Sequence, residues 1–196
     1  GMTLGEQAKM INGEKWLKNG IQCKLTVIPC LNYDRSRSYS LPVRPSPNLP
    51  NDQSINLYVS LCLFEGTNVS MGRGTEKQFQ IYGSPYLPKS DFAFTPKPNF
   101  GDKAPFYNGV ECNGEDLSAI PRINRLEIKW LIKAYQTTAD KSKFFDKRKF
   151  SIRAGNEKLQ QQIEGGVSED EIRNSWKEGL ENFKKMRQQY LIYKEK

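Results

Sequence analysis

The spacing of apolar and polar positions changes along the chain, and each change predicts an element. Thr3 and Glu6 stand three apart at the start, the capping-box spacing in which each side chain satisfies a free amide at a helix N-terminus. A helix is predicted from there to about Trp16, with Leu4, Ala8 and Ile11 on one face. Asn19-Gly20 ends it, and the alternation from Ile21 to Pro29 predicts a strand. From Asn32 to Pro50 the chain is rich in Ser, Arg and Pro, and Pro42, Pro45, Pro47 and Pro50 forbid regular structure, so a loop ordered by packing is expected. Beyond it, Asn51 or Asp52 caps a helix running to about Phe64. Ile55, Tyr58, Leu61, Cys62 and Glu65 fall near one side of that helix, which delivers Glu65 at its end.

From Thr75 to Asn99 the pattern is one of short strands and turns. Phe79 to Tyr82 is strand-like, and Gly83, Pro85, Pro88, Pro96 and Pro98 punctuate the rest of that stretch. Val110 to Leu117 adds a strand, and Arg122 to Tyr135 a helix with Ile123, Leu126, Trp130 and Ala134 inward. The final third reads as helical: Asn156 to Ile163 stops at Gly165-Gly166, and Ser168 with Glu171 repeats the capping-box spacing. Ile172, Trp176, Leu180, Phe183, Met186 and Tyr190 then mark an amphipathic stripe expected to lie in the core. No internal repeat or low-complexity tract interrupts the chain. The fold class expected is α+β: a single domain of short mixed strands packed with several helices, with a helical C-terminus.

At 196 residues the chain can bury a sizeable core, and an apolar share of 37% supports one, while a mean hydropathy of -0.71 describes a very polar surface. Disorder throughout is excluded. There is no histidine, which removes Ser/His/Asp and Cys/His nucleophiles and any histidine-based metal site. Acid–base work falls to carboxylates, tyrosines or lysines. Cys23, Cys30, Cys62 and Cys112 lie at irregular separations with no C-x-x-C pair, against zinc and against a redox motif. A Cys23–Cys30 bridge is one arrangement, four free buried thiols the favoured one, and no metal or cofactor is expected. The longest apolar stretch, around Leu57 to Phe64, is too short to span a bilayer, and no signal-peptide pattern opens the chain. The net charge of +8 is concentrated in Lys141 to Arg153 (KSKFFDKRKFSIR) and the last helix. Such a patch can touch nucleic acid, anionic lipid or an anionic polymer. Without an RNP, KH or helix-turn-helix signature it reads as a solvated face, and no nucleic-acid partner is expected.

The densest chemistry lies between Leu63 and Thr75 (LFEGTNVSMGRGT). Glu65 closes a helix whose carbonyl ends carry partial negative charge, and partial burial would add desolvation, so both effects favour the protonated form that a general acid requires. The competing reading is a partly exposed glutamate accepting bonds from the turn at Gly66 to Asn68. Gly72-Arg73-Gly74 permits a tight backbone whose amides converge beside a guanidinium, an arrangement that favours carboxylate or phosphate oxygens. The competing reading there is a structural turn in which Arg73 pairs with a local acid. Thr67, Asn68, Ser70 and Thr75 add short hydrogen-bonding groups suited to sugar hydroxyls and amides. The spacing fails the P-loop and the dinucleotide fingerprint.

Several runs together resemble a known family. PSPNLP at Pro45 to Pro50, LYVSLCLFEGTNVSMGRGT at Leu57 to Thr75, TLGEQAKMINGEKWL from Thr3 and the closing W-x3-L-x2-F-x3-R-x2-YLIY from Trp176 are similar to the NamZ family of exo-β-N-acetylmuramidases, also called DUF1343. The similarity runs almost end to end, with departures at Val59 and Gln78, where proline is usual, and at Glu115, where an apolar residue is common. It implies that residues 1–196 are the C-terminal domain of such a protein, whose Rossmann-like N-terminal half, on the same or a separate chain, completes a saccharide cleft and carries a principal catalytic glutamate. The implied activity is release of N-acetylmuramic acid from non-reducing ends of peptidoglycan fragments in cell-wall turnover, in the periplasm or outside the cell. Glycoside hydrolysis normally uses two carboxyl groups across the bond. Glu65 is expected to be one of them or a sugar-orienting carboxylate, with Thr67, Asn68, Ser70, Arg73 and Thr75 as substrate contacts and Arg73 on the lactyl carboxylate. The isolated chain is then expected to be inactive; the alternative is a non-catalytic carbohydrate or cell-wall binding module.

Overall fold

The computed structural model describes residues 1–193. In chain order the elements are α1 (Leu4–Gly13), α2 (Asp52–Leu61), β1 (Ile81–Ser84), β2 (Ala93–Phe94), β3 (Cys112–Asp116), α3 (Lys129–Thr137), α4 (Lys147–Ala154), α5 (Lys158–Glu164), α6 (Glu169–Asn174) and α7 (Lys177–Arg187). The class is α+β with a helical C-terminus. The chain forms two compact units, one of Ser40–Ile172 and one built from Gly1–Tyr39 with the segment from Arg173 onward. No helix among the described residues is long and apolar enough to cross a membrane.

The larger unit holds nearly all of the apolar core. Asn51 caps α2 in a reciprocal pair with Ser54, and Leu57 and Leu61 on its inner face are fully buried. The opposite side of α2 carries Gln53, Asn56 and Ser60. Gln53 donates to the carbonyls of Leu117 and Ile120, and Asn56 brackets the backbone of Ile123 with bonds of 2.8 and 2.9 Å. Ser60 accepts from the amide of Glu127 at 2.9 Å. These side chains hold residues 117–127 in a non-helical course, which explains why α3 starts at Lys129 and not near Arg122 as the apolar spacing suggests. Trp130 and Ala134 do face inward, as expected.

The sheet is antiparallel throughout, in the order β1-β3-β2, with Tyr82 opposite Glu115 and Phe94 opposite Cys112. The expected strand at Phe79 begins later, at Ile81, because Phe79 itself takes a left-handed backbone with φ 54. Beneath the sheet the ring of Tyr82 stacks on Phe64, 4.9 Å between centroids. A helix not anticipated as an element, α4, grows out of the basic segment: Asp146 caps it by accepting from the amide of Lys149, and Phe150 is fully buried. In that segment Phe144 and Phe150 are buried, while its charged side chains face solvent as expected.

The smaller unit is organised around a charge. Thr3 and Glu6 form the capping box, yet the face of α1 that is buried is Glu6 with Met10, while Leu4 is 84% exposed. The Glu6 carboxylate accepts from the amides of Thr3, Ile192 and Tyr193 and from the Arg35 guanidinium. Burial alone would raise its pKa, but these donors outweigh it and hold the group at about 2. Residues Ile21 to Pro29 form no strand; Ile21 and Ile28 are exposed, since alternation without a neighbouring strand leaves ladder groups unpaired. The stripe from Ile172 to Tyr190 divides: Ile172 is buried, the helix breaks between α6 and α7, and Leu180 and Phe183 are exposed instead of lying in a core. All four cysteines are free, but only Cys112 is buried, so the expectation of four buried thiols is corrected at Cys23, Cys30 and Cys62.

Candidate functional site

Residues Glu65 to Thr75 sit between two partners that pin them. On one side the loop pairs with β1: Ser70 and Gly83 exchange backbone bonds of 2.8 and 2.9 Å. On the other, residues 144–150 are stitched to the turn. The amide of Asn68 donates to the carbonyl of Phe144 at 2.8 Å, that of Asp146 donates to the carbonyl of Gly66 at 2.9 Å, and Thr67 bridges Phe145. Gly66 is where α4 comes closest, for a Cβ there would lie 2.4 Å from the Cα of Phe150.

α2 passes into a 3-10 turn, Cys62–Gly66, and Glu65 projects from that turn with 15% of its side chain exposed. Its Oε1 accepts from Nη2 of Arg73 at 2.5 Å, and its Oε2 forms an ion pair with Nε of Arg153 at 2.8 Å. The sequence places Glu65 and Arg73 as neighbours and the structure brings them together. Glu65 does sit at the C-terminal end of helical turns, but a guanidinium lies against each of its oxygens, the setting of a positioning carboxylate. The Arg73 guanidinium also lies over the Phe79 ring, 5.3 Å from its centroid. Gly72 and Gly74 both have φ of 79, and a Cβ on either would meet a neighbour at 2.6 Å, so the turn around Arg73 requires glycine on both sides.

The small polar residues are disposed otherwise than expected. The Thr67 hydroxyl donates to the carbonyl of Phe64 at 2.9 Å and accepts from the amide of Val69. Thr75 donates to the carbonyl of Gly72 at 2.7 Å and accepts from the amide of Lys77. Ser70 is buried and accepts from the amide of Gly72. These three hydroxyls brace the loop instead of facing a ligand, because a turn this tight leaves backbone groups that only a short side chain reaches. Asn68 differs: its carbonyl accepts from Ser84 and Tyr107, both at 2.8 Å, while its Oδ1 is enclosed without a hydrogen-bond partner. Beside the turn, burial and the Glu65 charge push the Cys62 thiol up, so it is no nucleophile.

Arg153 is the site residue that the sequence reading missed. Asp146 as a cap and Gly155 in the left-handed C-cap conformation bound its helix, and both are visible signals. Nothing in the sequence says which carboxylate it meets. A second charged cluster stands apart: Glu115 on β3 accepts from the Tyr82 hydroxyl and pairs with Lys133, each at 2.6 Å. Burial, with the neighbouring Glu115, raises the Tyr82 pKa well above its ordinary value. An open hollow of about 680 Å³ lies against the Glu115–Lys133 pair, lined also by Ile120, Ile123, Lys129 and Trp130, and neither Glu65 nor Arg73 lines it.

Comparison with known proteins places this geometry. Residues 56–193 match the family model described as exo-beta-N-acetylmuramidase NamZ, C-terminal. The chain belongs to the NamZ family. Residues 1–53 match the companion model, NamZ N-terminal, so the seam between the two NamZ models falls at the start of α2. A relative called peptidoglycan beta-N-acetylmuramidase NamZ, from Bacillus subtilis (strain 168), is 32% identical over 212 residues, covering 98% of this chain and 50% of that protein. A crystal structure of a DUF1343 family protein from Bacteroides fragilis superposes with a TM-score of 0.92 at 44% identity, over 100% of this chain and 56% of the other. A second DUF1343 structure from the same organism shares the fold, with a TM-score of 0.75 at 19% identity and coverage of 99% and 56%. The chain therefore spans about half the length of these NamZ relatives.

Proposed function

We propose that this chain is the substrate-holding part of a glycoside hydrolase that releases N-acetylmuramic acid from the non-reducing ends of peptidoglycan fragments, in cell-wall turnover outside the cytoplasm. The observation that carries the reading is the contact between Glu65 and Arg73, at 2.5 Å on a partly exposed loop, within the region that matches the family. Family membership and the B. subtilis relative's activity support the substrate class. The lactyl ether of that sugar ends in a carboxylate, the ligand a guanidinium fork fits best. Glu65 then orients the guanidinium and the sugar, and the hydroxyls of Thr67, Ser70 and Thr75 keep the loop in shape. The carboxyl groups that act on the bond belong, in this reading, to a Rossmann-like half that completes the cleft.

The test pairs retention on insoluble peptidoglycan with turnover of a MurNAc-containing disaccharide, for the 196-residue chain and for the same chain joined to its Rossmann-like half. The expected result is retention by both and turnover by the joined protein only. Retention without turnover in either form supports the non-catalytic binding module instead, and absence of retention overturns the saccharide reading.

A further inference from the structure

Glu65 is engaged from two sides by segments far apart in sequence, and charge balance needs only one of them. Two guanidinium groups face one carboxylate, so the cluster keeps a surplus positive charge. What is buried and what is exposed is ordered accordingly: the carboxylate is 15% exposed, the Arg73 and Arg153 side chains 35% and 47%. Arg73 uses Nη2 and Arg153 uses Nε on Glu65, which leaves the remaining nitrogens of both without a protein partner among the described residues. The outward face of the cluster is thus a set of unfilled cationic donors.

Both arms are held still. Arg73 is flanked by two obligatory glycines and lies over the ring of Phe79, a bulky residue kept in the left-handed region at φ 54. Strain of that kind is maintained where the surroundings over-determine a position. Arg153 is carried by α4, which two backbone hydrogen bonds just before its first turn and the close approach at Gly66 already fix to the turn. A contact so pinned has no need of an extra ion pair for its stability, and partly exposed pairs contribute little.

We propose that Arg153 is a specificity-determining residue: with Arg73 it forms a two-armed receptor for the lactyl carboxylate, and Glu65 keeps the two like-charged heads side by side. This rests on the saccharide reading above and adds to it a second arm from α4. A planar anion with two oxygens matches the unused N–H groups of two guanidinium planes, whereas N-acetylglucosamine, which lacks the lactyl group, offers them nothing. Discrimination between the two sugars then resides in the arginine pair.

The experiment is an NMR-monitored titration of the chain with N-acetylmuramic acid and with N-acetylglucosamine, for the parent, R153A, R153K and K149A. Lys149 sits on the same helix, exposed and paired with Asp146, and controls for loss of charge alone. The parent is expected to prefer N-acetylmuramic acid, and R153A to lose about tenfold to hundredfold of that preference, the range for a hydrogen bond to a charged group, with its N-acetylglucosamine affinity kept. R153K falls between, and K149A behaves as the parent. A preference unchanged in R153A, a parallel loss for both sugars, or equal affinities in the parent overturns the role of Arg153 alone. A parent that binds neither sugar overturns the saccharide reading and this inference with it.

Discussion

Gly66 has no room for a side chain, since the Cα and amide nitrogen of Phe150 would lie 2.4 and 2.6 Å from its Cβ. The substitution G66A is expected to destabilise the chain by about 1–3 kcal/mol or more, the usual cost of overpacking, read as a lowered urea midpoint. It also pushes Arg153 from Glu65, so sugar preference falls with it. By contrast E65Q keeps the shape, but removes the charge and replaces one of the two acceptor oxygens with an NH2 donor. In the protein joined to its Rossmann-like half it is expected to cut turnover at least tenfold while its melting curve stays close to the parent's, which separates a role in the site from one in the fold. Single residues of the site were partly legible: Glu65 and Arg73 stand out as charges in an otherwise small and apolar run, and the glycines around Arg73 mark the tight turn that the structure shows. Arg153 was hidden because a basic segment gives no sign of its distant partner. The hydroxyls of Thr67, Ser70 and Thr75 were misread because sequence shows a hydroxyl without showing which backbone group it reaches.

At the scale of elements, the capping boxes at Thr3 and Ser168 were readable because each is closed within four residues. The strand proposed from Ile21 to Pro29 failed because alternation specifies a face only when a neighbouring strand exists to pair with. The late start of α3 came from the side chains of α2, which no local signal records. The elements of the smaller unit are joined by Glu6, and its depressed pKa has a sign. A group held at about 2 in the folded chain, against an ordinary 4.5, contributes stability present in full above pH 4.5 and lost as pH falls towards 2. The shift corresponds to about 3 kcal/mol. Acid titration followed by circular dichroism should show this loss, and E6Q should flatten it while lowering stability at pH 7, because it removes the counter-charge of the part-buried Arg35 head.

Over the whole molecule, apolar burial is unevenly shared. Among the described residues of the smaller unit Met10 is the one fully buried hydrophobic side chain, whereas Leu31, at 90% exposed, and Leu4, Ile28, Leu180 and Phe183 face outward. Stability there comes from polar hydrogen bonds, among them Arg187 and Arg35 to the Gly1 carbonyl and Tyr190 to Glu14. Amide exchange should therefore be faster across Gly1–Tyr39 than in α2, β1 and α3, where the core lies; equal protection in the two would contradict this account. Class and composition foretold a core, but its confinement to one unit depends on which faces find partners, and that is a property of the assembled chain.

The stitching of residues 144–150 to the Glu65 turn bears also on how members of this family can be recombined. Swapping the glycine-rich loop alone between two relatives would separate Gly66 from the helix shaped to meet it, and would orphan one arginine. A working chimera has to inherit the two stretches as a single cassette, although some seventy residues of chain divide them, roughly a third of the sequence.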